Sequence, residues 1–442
     1  RVRLTPRLRP AKGCVVERAV EGLISKNDNN LFVGGAKATH LHLTPLMARR
    51  SYNENMSALP PVPHPVNVNL ESTLGCNLEC IMCGSHLSGV TKLRRSMDLD
   101  LLARVESEVM HGVRELSLTV AGEPFLTPRL PQFVELAERT GAELSLNTNG
   151  TIVKDTELVR RILAHSSVLR FSVDGATAET YESIRGLSDF ALVLGNIRTV
   201  VGIRKQLPRG KRPRLVMCMV LMRRNLKELV DMVELAHSLQ LDRLDVAHLT
   251  VLVPELDVES LRHIPDEADE VFLAAQKRAD ELGFRVNFPP LMDGTRIGPS
   301  PTAKARLALQ ELRQLAPHRL KRLGGTMTRK QQMAVWSRKA GGRVPCHFLQ
   351  DGVFINIQGE VAPCPMPGRP IVGDLNTQTF DEIWNGESLT AMRKGFIDGQ
   401  PFDCCSHCSQ NPDGYVPEDP ETVQPAEYDI PGLSDRPRPQ SV

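Results

Sequence analysis

The sequence predicts an α/β protein organised on a parallel sheet, and two observations carry that expectation. From Val66 to Leu249 short apolar strands alternate with longer helical stretches, and repeated βα units call for a parallel sheet, either open and doubly wound or curled into a barrel. Predicted strand ends run into loops of small or polar residues next to Gly, at the edge where both kinds of sheet collect their chemistry.

Taken in order, residues 1–65 are basic at the start and close in a Pro-rich link, Leu59-Pro60-Pro61-Val62-Pro63-His64-Pro65. They read as an N-terminal extension with no assignable chemistry. Strands are predicted at Val66–Leu70, Arg114–Val120, Glu143–Asn147, Val168–Val173, Leu215–Leu221 and Arg243–Leu249. Helices are predicted at about Asp98–His111, Leu130–Thr140, Thr156–His165, Phe190–Gln206, Leu226–Leu239 and Asp266–Leu282, with a short strand near Val286–Phe288. Ala121-Gly122-Glu123-Pro124 follows the second strand, Thr148-Asn149-Gly150 the third, and the fourth runs into Ser172-Val173-Asp174-Gly175. Gly there suits a ligand that approaches the backbone closely, although Gly and Asn also simply make turns. The basic run Arg204–Arg214 reads as a solvated face. Residues 291–343 read as a connecting helical and loop segment, Gly352–Val361 as a strand-turn-strand, and 411–442 as a polar tail rich in Pro and Asp.

The bulk properties exclude several classes. With 442 residues there is room for a sizeable core. The balance of 54 basic against 52 acidic residues, net +2, offers no nucleic-acid or membrane field. No run of 18 apolar residues and no signal peptide is recognisable, so a cytoplasmic protein is the expectation. The ten Cys in such a chain point to metal or redox chemistry rather than disulfides.

Seven of those ten thiols fall into two sets. Cys76, Cys80 and Cys83 stand as CxxxCxxC on a loop leaving the first predicted strand. Three thiols leave one iron of a [4Fe–4S] cube open to a small molecule, whereas structural zinc would draw a fourth ligand, for which His86 is available. The second set is Cys346, Cys364 and the Cys405/Cys408 pair, with Cys404 beside them; a hairpin over 352–361 would bring Cys346 and Cys364 together. Zinc and iron–sulfur fit this set equally on ligand count. Cys14, Cys218 and Cys404 are left over.

Both sets together resemble the radical S-adenosylmethionine (SAM) superfamily, in its SPASM/twitch branch. The motifs are CNLECIMC (76–83), AGEP (121–124), NTNG (147–150), SVDGATAETYESIRG (172–186) and RRN (223–225), then Cys346, GEVAPC (359–364), VGDL (372–375), EIWN (382–385) and CSHC (405–408). The resemblance implies a partial (β/α)6 TIM-like barrel over 66–290, followed by a SPASM/twitch iron–sulfur extension over 344–410. It implies that Cys76, Cys80 and Cys83 hold the [4Fe–4S] cluster whose open iron chelates SAM. Met82 would present its backbone to the adenine, and Gly122 and Glu123 would meet the SAM amino group. Ser172 and Asp174 would lie near the methionyl carboxylate and ribose, with Arg185 as a carboxylate partner or a structural ion pair. A full SPASM extension carries seven Cys; the shorter set here implies one auxiliary [4Fe–4S] cluster, on Cys346, Cys364, Cys405 and Cys408, with Cys404 as alternate or bystander.

The chemistry so implied is reductive cleavage of SAM and abstraction of an unactivated C–H hydrogen, with electrons from a reductase such as flavodoxin or ferredoxin. Cys218, mid-strand in Leu215–Leu221, is either a hydrogen-atom donor to a substrate radical or a small buried core residue. His248 is either a substrate contact or a hydrogen-bonded core residue. The leading expectation is a radical SAM epimerase of a carbohydrate, aminosugar or aminocyclitol carbinol in natural-product biosynthesis. Alcohol dehydrogenation with the auxiliary cluster as electron acceptor comes second, and modification of a ribosomal peptide third.

Overall fold

The computed structural model describes residues 64–314, 346–366, 369–406 and 408; nearly all of the N-terminal extension, much of the connecting segment and the tail lie outside these. Seven parallel strands carry the architecture: β1 Asn67–Leu70, β2 Glu115–Ser117, β3 Glu143–Thr148, β4 Ser166–Ser172, β5 Arg214–Leu221, β6 Arg243–His248 and β7 Val286–Asn287. Neighbours in sequence are neighbours in the sheet, each pair parallel, as successive βα units require. The crossovers include α1 Leu99–Glu108, α2 Leu130–Thr140, α3 Thr156–Ala164, α4 Ala178–Ile184, α5 Phe190–Gln206, α6 Leu229–Ser238 and α7 Pro265–Leu282.

The helix boundaries follow from local chemistry. Asp98, Asp155, Thr177 and Asp189 cap α1, α3, α4 and α5 by accepting from first-turn amides, which otherwise lack partners. Gly141 and Gly283 end α2 and α7 in the left-handed region. Each barrel helix buries one face: Leu130, Phe133, Val134, Leu136 and Ala137 on α2, and Val193, Ile197, Val200, Val201 and Ile203 on α5. Against them pack strand residues such as Val68, Leu116, Leu144, Leu169, Phe171 and Leu215.

Alternation then dictates what the other sheet face carries. Register places Asn69, Ser117 and Ser145 in one row, and Asn147, Arg170, Val216 and Arg243 in the next. Ser172, Cys218, Asp245 and Asn287 form a third row nearer the C-terminal ends. One face of the sheet is thus apolar under helices and the other largely polar.

The sheet does not stop at β1. After α8 Pro301–Gln314 and α9 His347–Asp351, strand β8 Gly352–Ile355 pairs with β1 in parallel register, Asn67 opposite Gly352 through Leu70 opposite Ile355. The expected hairpin then continues outward as β9 Glu360–Ala362 and β10 Gly373–Asp374, both antiparallel. The result is one open ten-stranded sheet, β10-β9-β8-β1-β2-β3-β4-β5-β6-β7. β8 is buried along its whole length, and α10 Phe380–Trp384 and α11 Glu387–Asp398 supply Phe380, Trp384, Leu389, Met392 and Phe396 to the same core. The basic run Arg204–Arg214 is partly structural, since the Arg212 guanidinium donates to the Leu207 and Lys205 carbonyls at 2.9 and 2.6 Å.

Glu71 sits at the seam between β1 and β8. Its amide donates to the Ile355 carbonyl at 2.9 Å, and its carboxylate accepts from the Ile357 amide at 3.2 Å. Burial pushes its carboxyl up to about 7, and Glu360 adds to this while the Ile357 amide and Arg369 oppose it. The folded state therefore binds a proton more tightly than the unfolded chain. Stability from this group is greatest below the usual carboxylate range and is lost as pH rises through about 7. Glu71→Gln keeps the acceptor and removes the titration. It should gain stability at pH 8 relative to pH 5, by up to roughly 3 kcal/mol; equal denaturation midpoints for variant and parent at both pH values would refute the assignment.

Candidate active site

The loop after β1 is held by its backbone before any ligand is considered. Gly122, at the end of the second crossover strand region, has φ +71°, and a Cβ there would stand 2.4 Å from the Thr73 carbonyl oxygen. Only glycine lets the 121–124 segment lie against residues 73–75, where the Glu123 amide donates to the Gly75 carbonyl at 2.8 Å. Cys76 then leads into a two-residue ribbon in which Glu79–Cys80 pairs antiparallel with Arg185–Gly186. The Cys83 amide donates to the Cys80 carbonyl at 3.1 Å, and a single helical turn, Gly84–Leu87, follows.

Each thiol on the loop has its own surroundings. Asn149 Nδ2 points at Cys76 Sγ from 3.9 Å and donates to Asn77 Oδ1 at 2.9 Å. Arg185 Nη1 lies 3.7 Å from Cys80 Sγ. Burial raises the Cys76 thiol, and pushes Cys80 up to about 12, with the neighbouring sulfurs adding to the rise in both. Three sulfurs close enough to feel one another, in a partly buried loop, resist becoming thiolates unless a cationic group shares them. That donor set fits a cluster. His86 lies on the Gly84–Leu87 turn with a buried Nδ1 that has no hydrogen-bond partner.

The other strand-end residues separate into two groups. Glu123 is 2% exposed and fully engaged: it accepts from the Thr148 hydroxyl (2.8 Å), the Asn149 amide (2.6 Å) and the Phe125 amide (3.1 Å), while burial raises its carboxyl. Asp174 has no exposed surface, and Oδ1 accepts from the Val220 amide (2.7 Å) while Oδ2 takes Arg185 Nε (2.6 Å). Burial pulls the Arg185 guanidinium down, yet Asp174 and Cys80 outweigh it and hold it above its ordinary value. Of the two readings of Arg185, the geometry gives the structural ion pair. Ser172, Met82 and Gly122 are nearer the open side: Ser172 is half-buried at the end of β4, and Met82 packs with Ile81 against Ile184, Met222, Leu249 and Leu256.

Cys218 lies across from Ser172 in the sheet, half-buried, with Asp245 as its partner on the other side. Asp245 is held by Arg243 Nη2 (2.7 Å) and Asn287 Nδ2 (2.7 Å). Burial pushes the Cys218 thiol up to about 12, Asp245 raises it further, and Arg170 and Arg243 oppose this. It therefore stays S–H at neutral pH. His248 is occupied, with Nε2 2.9 Å from the Pro290 carbonyl and its ring edge-on to Phe272.

The second cysteine set also comes together. Cys346, Cys364, Cys404, Cys405 and Cys408 line one small cavity, walled by Phe348, Leu349, Pro363, Met392 and Phe396. Cys364 is pushed up to about 11, chiefly by burial, with Cys346 and Cys408 adding to it. Cys404 is exposed, whereas Cys405 is half-buried, which favours Cys405 as the inward thiol. Two residues were not singled out beforehand, Asn149 and the wholly buried Asn225. Asn225 Nδ2 donates to the Asp174 and Val220 carbonyls, both at 2.9 Å, and its Oδ1 accepts from the Met222 amide. Both stand in motifs of the family resemblance, NTNG and RRN, which assigned neither of them a role.

Comparison with known proteins agrees with this geometry. The sequence pattern of the radical SAM superfamily matches residues 70–268, and that of an iron-sulfur cluster-binding domain, SPASM, matches 346–409. Residues 70–268 are a radical SAM domain and residues 346–409 a SPASM domain, consistent with a radical SAM enzyme of the SPASM subgroup. The radical SAM domain implies SAM and a [4Fe–4S] cluster, and the SPASM domain implies auxiliary iron–sulfur binding. A Methanosarcina barkeri protein named AdoMet-dependent heme synthase is 27% identical over 331 residues, covering 73% of this chain and 83% of that one. A PqqA peptide cyclase from Streptomyces rochei is 29% identical over 196 residues, 43% of this chain and 50% of its own. The solved structure of native anSMEcpe with bound AdoMet shares the fold at a TM-score of 0.51 and 15% identity, covering 78% of this chain and 87% of that one. Among the described residues no helix is long and apolar enough to cross a membrane.

Two outcomes follow from the site. Anaerobically reconstituted protein should hold about eight iron atoms and Cys76→Ala about four; a colourless protein with zinc instead would refute the cluster assignment. Asp174→Ala strands the Arg185 guanidinium without its carboxylate and should cost roughly 3–5 kcal/mol in denaturant unfolding. A loss under about 1 kcal/mol would show that the pair is not what holds the ribbon.

Proposed function

We propose that this radical SAM enzyme epimerises a C–H centre of a polar substrate, a carbinol of a carbohydrate, aminosugar or aminocyclitol, with Cys218 returning the hydrogen atom. The observation that carries the reading is the thiol's place on the polar sheet face, in one register row with Ser172 and Asp245. When bound at Cys76, Cys80 and Cys83, a [4Fe–4S] cluster and SAM supply a 5′-deoxyadenosyl radical able to take hydrogen from an unactivated C–H bond.

The chain's own residues do the rest. Gly122 and Ser172 stand at strand ends where SAM would lie, and Met82 offers its backbone beside them; Glu123 holds the Asn149 loop from behind. Asp174 and Arg185 act on the ligand side through Cys80 and the ribbon, not by direct contact. The polar rows, with Asn147, Arg170, Arg243 and Asp245, suit a hydroxyl-bearing substrate and fix which carbon faces the abstracting radical. Once a hydrogen atom has left the substrate carbon, the Cys218 S–H gives its hydrogen to the opposite face, leaving a thiyl. One electron and one proton would restore the thiol, the electron supplied by a one-electron reductase such as flavodoxin or ferredoxin.

A second reading rests on the cavity lined by Cys346, Cys364, Cys405 and Cys408. One auxiliary cluster there would accept the substrate radical's electron, and the product would be the ketone. The relative named as a peptide cyclase supports a ribosomal peptide as an alternative substrate.

Turnover of candidate glycosides, aminocyclitols and precursor peptides in D2O separates these readings. The expected product carries one solvent deuterium at the reacting carbon, and Cys218→Ala still forms 5′-deoxyadenosine but no epimer. A product two mass units lighter, still made by Cys218→Ala, would overturn epimerisation in favour of oxidation.

A further inference from the structure

The C-terminal thiol cavity has a cation built into its lining. Arg369 lines it together with Cys346, Cys364, Cys405 and Cys408. Its Nη1 donates to the Pro365 carbonyl at 3.3 Å and to the Met366 carbonyl at 3.1 Å, and its guanidinium carbon lies 4.1 Å from the centroid of the Phe354 ring. Phe354 belongs to β8 and has no exposed surface, so the guanidinium rests on a fixed platform. The two carbonyls belong to the residues directly after Cys364, and the Met366 amide donates to the Cys364 sulfur. Arg369 thereby closes the turn that presents this thiol, and brings a permanent positive charge to it.

That charge is felt on two sides. It favours the anionic form of Cys364 against the effect of burial, and it does the same for the Glu71 carboxyl at the seam of β1 and β8. Glu360, the other charged group acting on Glu71, opposes it there. We propose that Arg369 is a counter-charge shared between Glu71 and an iron–sulfur cluster held by Cys346, Cys364, Cys405 and Cys408, and that it raises that cluster's reduction potential. This rests on the reading of the cavity as the auxiliary cluster site. A cube held by four thiolates is anionic, and one electron accepted from a reductase makes it more so. A cation fixed among the apolar walls of Phe348, Leu349, Met392 and Phe396 therefore favours the reduced form over the oxidised one. An ionised Glu71 draws on the same cation and opposes reduction, whereas a protonated Glu71 does not.

The test is an EPR-monitored redox titration of the full chain at pH 8, in a Cys76→Ala/Cys80→Ala/Cys83→Ala background where the auxiliary cluster is the remaining signal. Arg369→Met, neutral and of similar reach, should retain the iron and shift the midpoint to a more negative potential. Arg369→Lys keeps the charge but loses the grip on two carbonyls, and should shift it less. Glu71→Gln should move the midpoint the opposite way at pH 8 and leave it at the parent value at pH 5, where the Glu71 carboxyl is protonated. An unchanged midpoint in Arg369→Met, or an equal shift in Arg369→Lys, would overturn the counter-charge and leave Arg369 a structural clamp on the Cys364 turn. A Glu71→Gln midpoint that stays at the parent value at pH 8 would overturn the sharing. If Arg369→Met loses its iron, Arg369→Gln and Glu71→Gln carry the same outcomes. Absence of any cluster in the parent background would overturn the reading of the cavity itself, a result distinct from an unmoved potential.

Discussion

A single buried carboxylate organises the catalytic end of this molecule. Asp174 takes the Val220 amide with one oxygen and Arg185 with the other, and its own carbonyl accepts from Asn225. Arg185 in turn reaches Cys80 and forms the second strand of the ribbon that holds it. The ends of β4 and β5, the turn after β5 and the cysteine loop are thereby fixed to one another through one ion pair. Breaking such a pair is more damaging than never having it, because the surviving charge stays buried. Glu123 plays the matching part on the other flank, tying the β3 end to the segment that abuts Gly75.

Local pattern was enough to read the barrel. The α2 and α5 helices fall at Leu130–Thr140 and Phe190–Gln206 as expected, because each has a clear apolar face and a sharp terminus, Gly141 for one and Asp189 for the other. The α4 helix was not among the predicted helices: it has seven residues, too few for a period to stand out. The ribbon that carries Cys80 is two residues per strand and has no periodicity at all. Cysteine spacing located both thiol sets, since ligand geometry is written locally. Which partner Arg185 takes depends on tertiary pairing, and so both options remained open until the ribbon was seen.

The polar face of the sheet shows how a two-residue period becomes a reaction surface. Cys218 sits in a strand that reads as almost wholly apolar, Leu215 to Leu221, yet register sets it beside Ser172 and Asp245 rather than under a helix. The same strand buries Leu215, Met217 and Met219 on the far side. A one-residue slip would move the thiol into the core and a methionine onto the polar face.

The pairing of β8 with β1 has a consequence for how the chain reaches its native state. Asn67 and Gly352 are partners although most of the sequence separates them, so the central strand of the sheet completes its ladder only after the C-terminal half is available. Such long-range closure is slow, and until it happens β1 has one open edge carrying the loop with the three cysteines. Removing the C-terminal region would leave that edge permanently bare, a template for intermolecular strand addition rather than a trimmed but intact barrel. The iron–sulfur extension is therefore part of the scaffold of the sheet that carries the first three cysteines, because it supplies the strand beside β1.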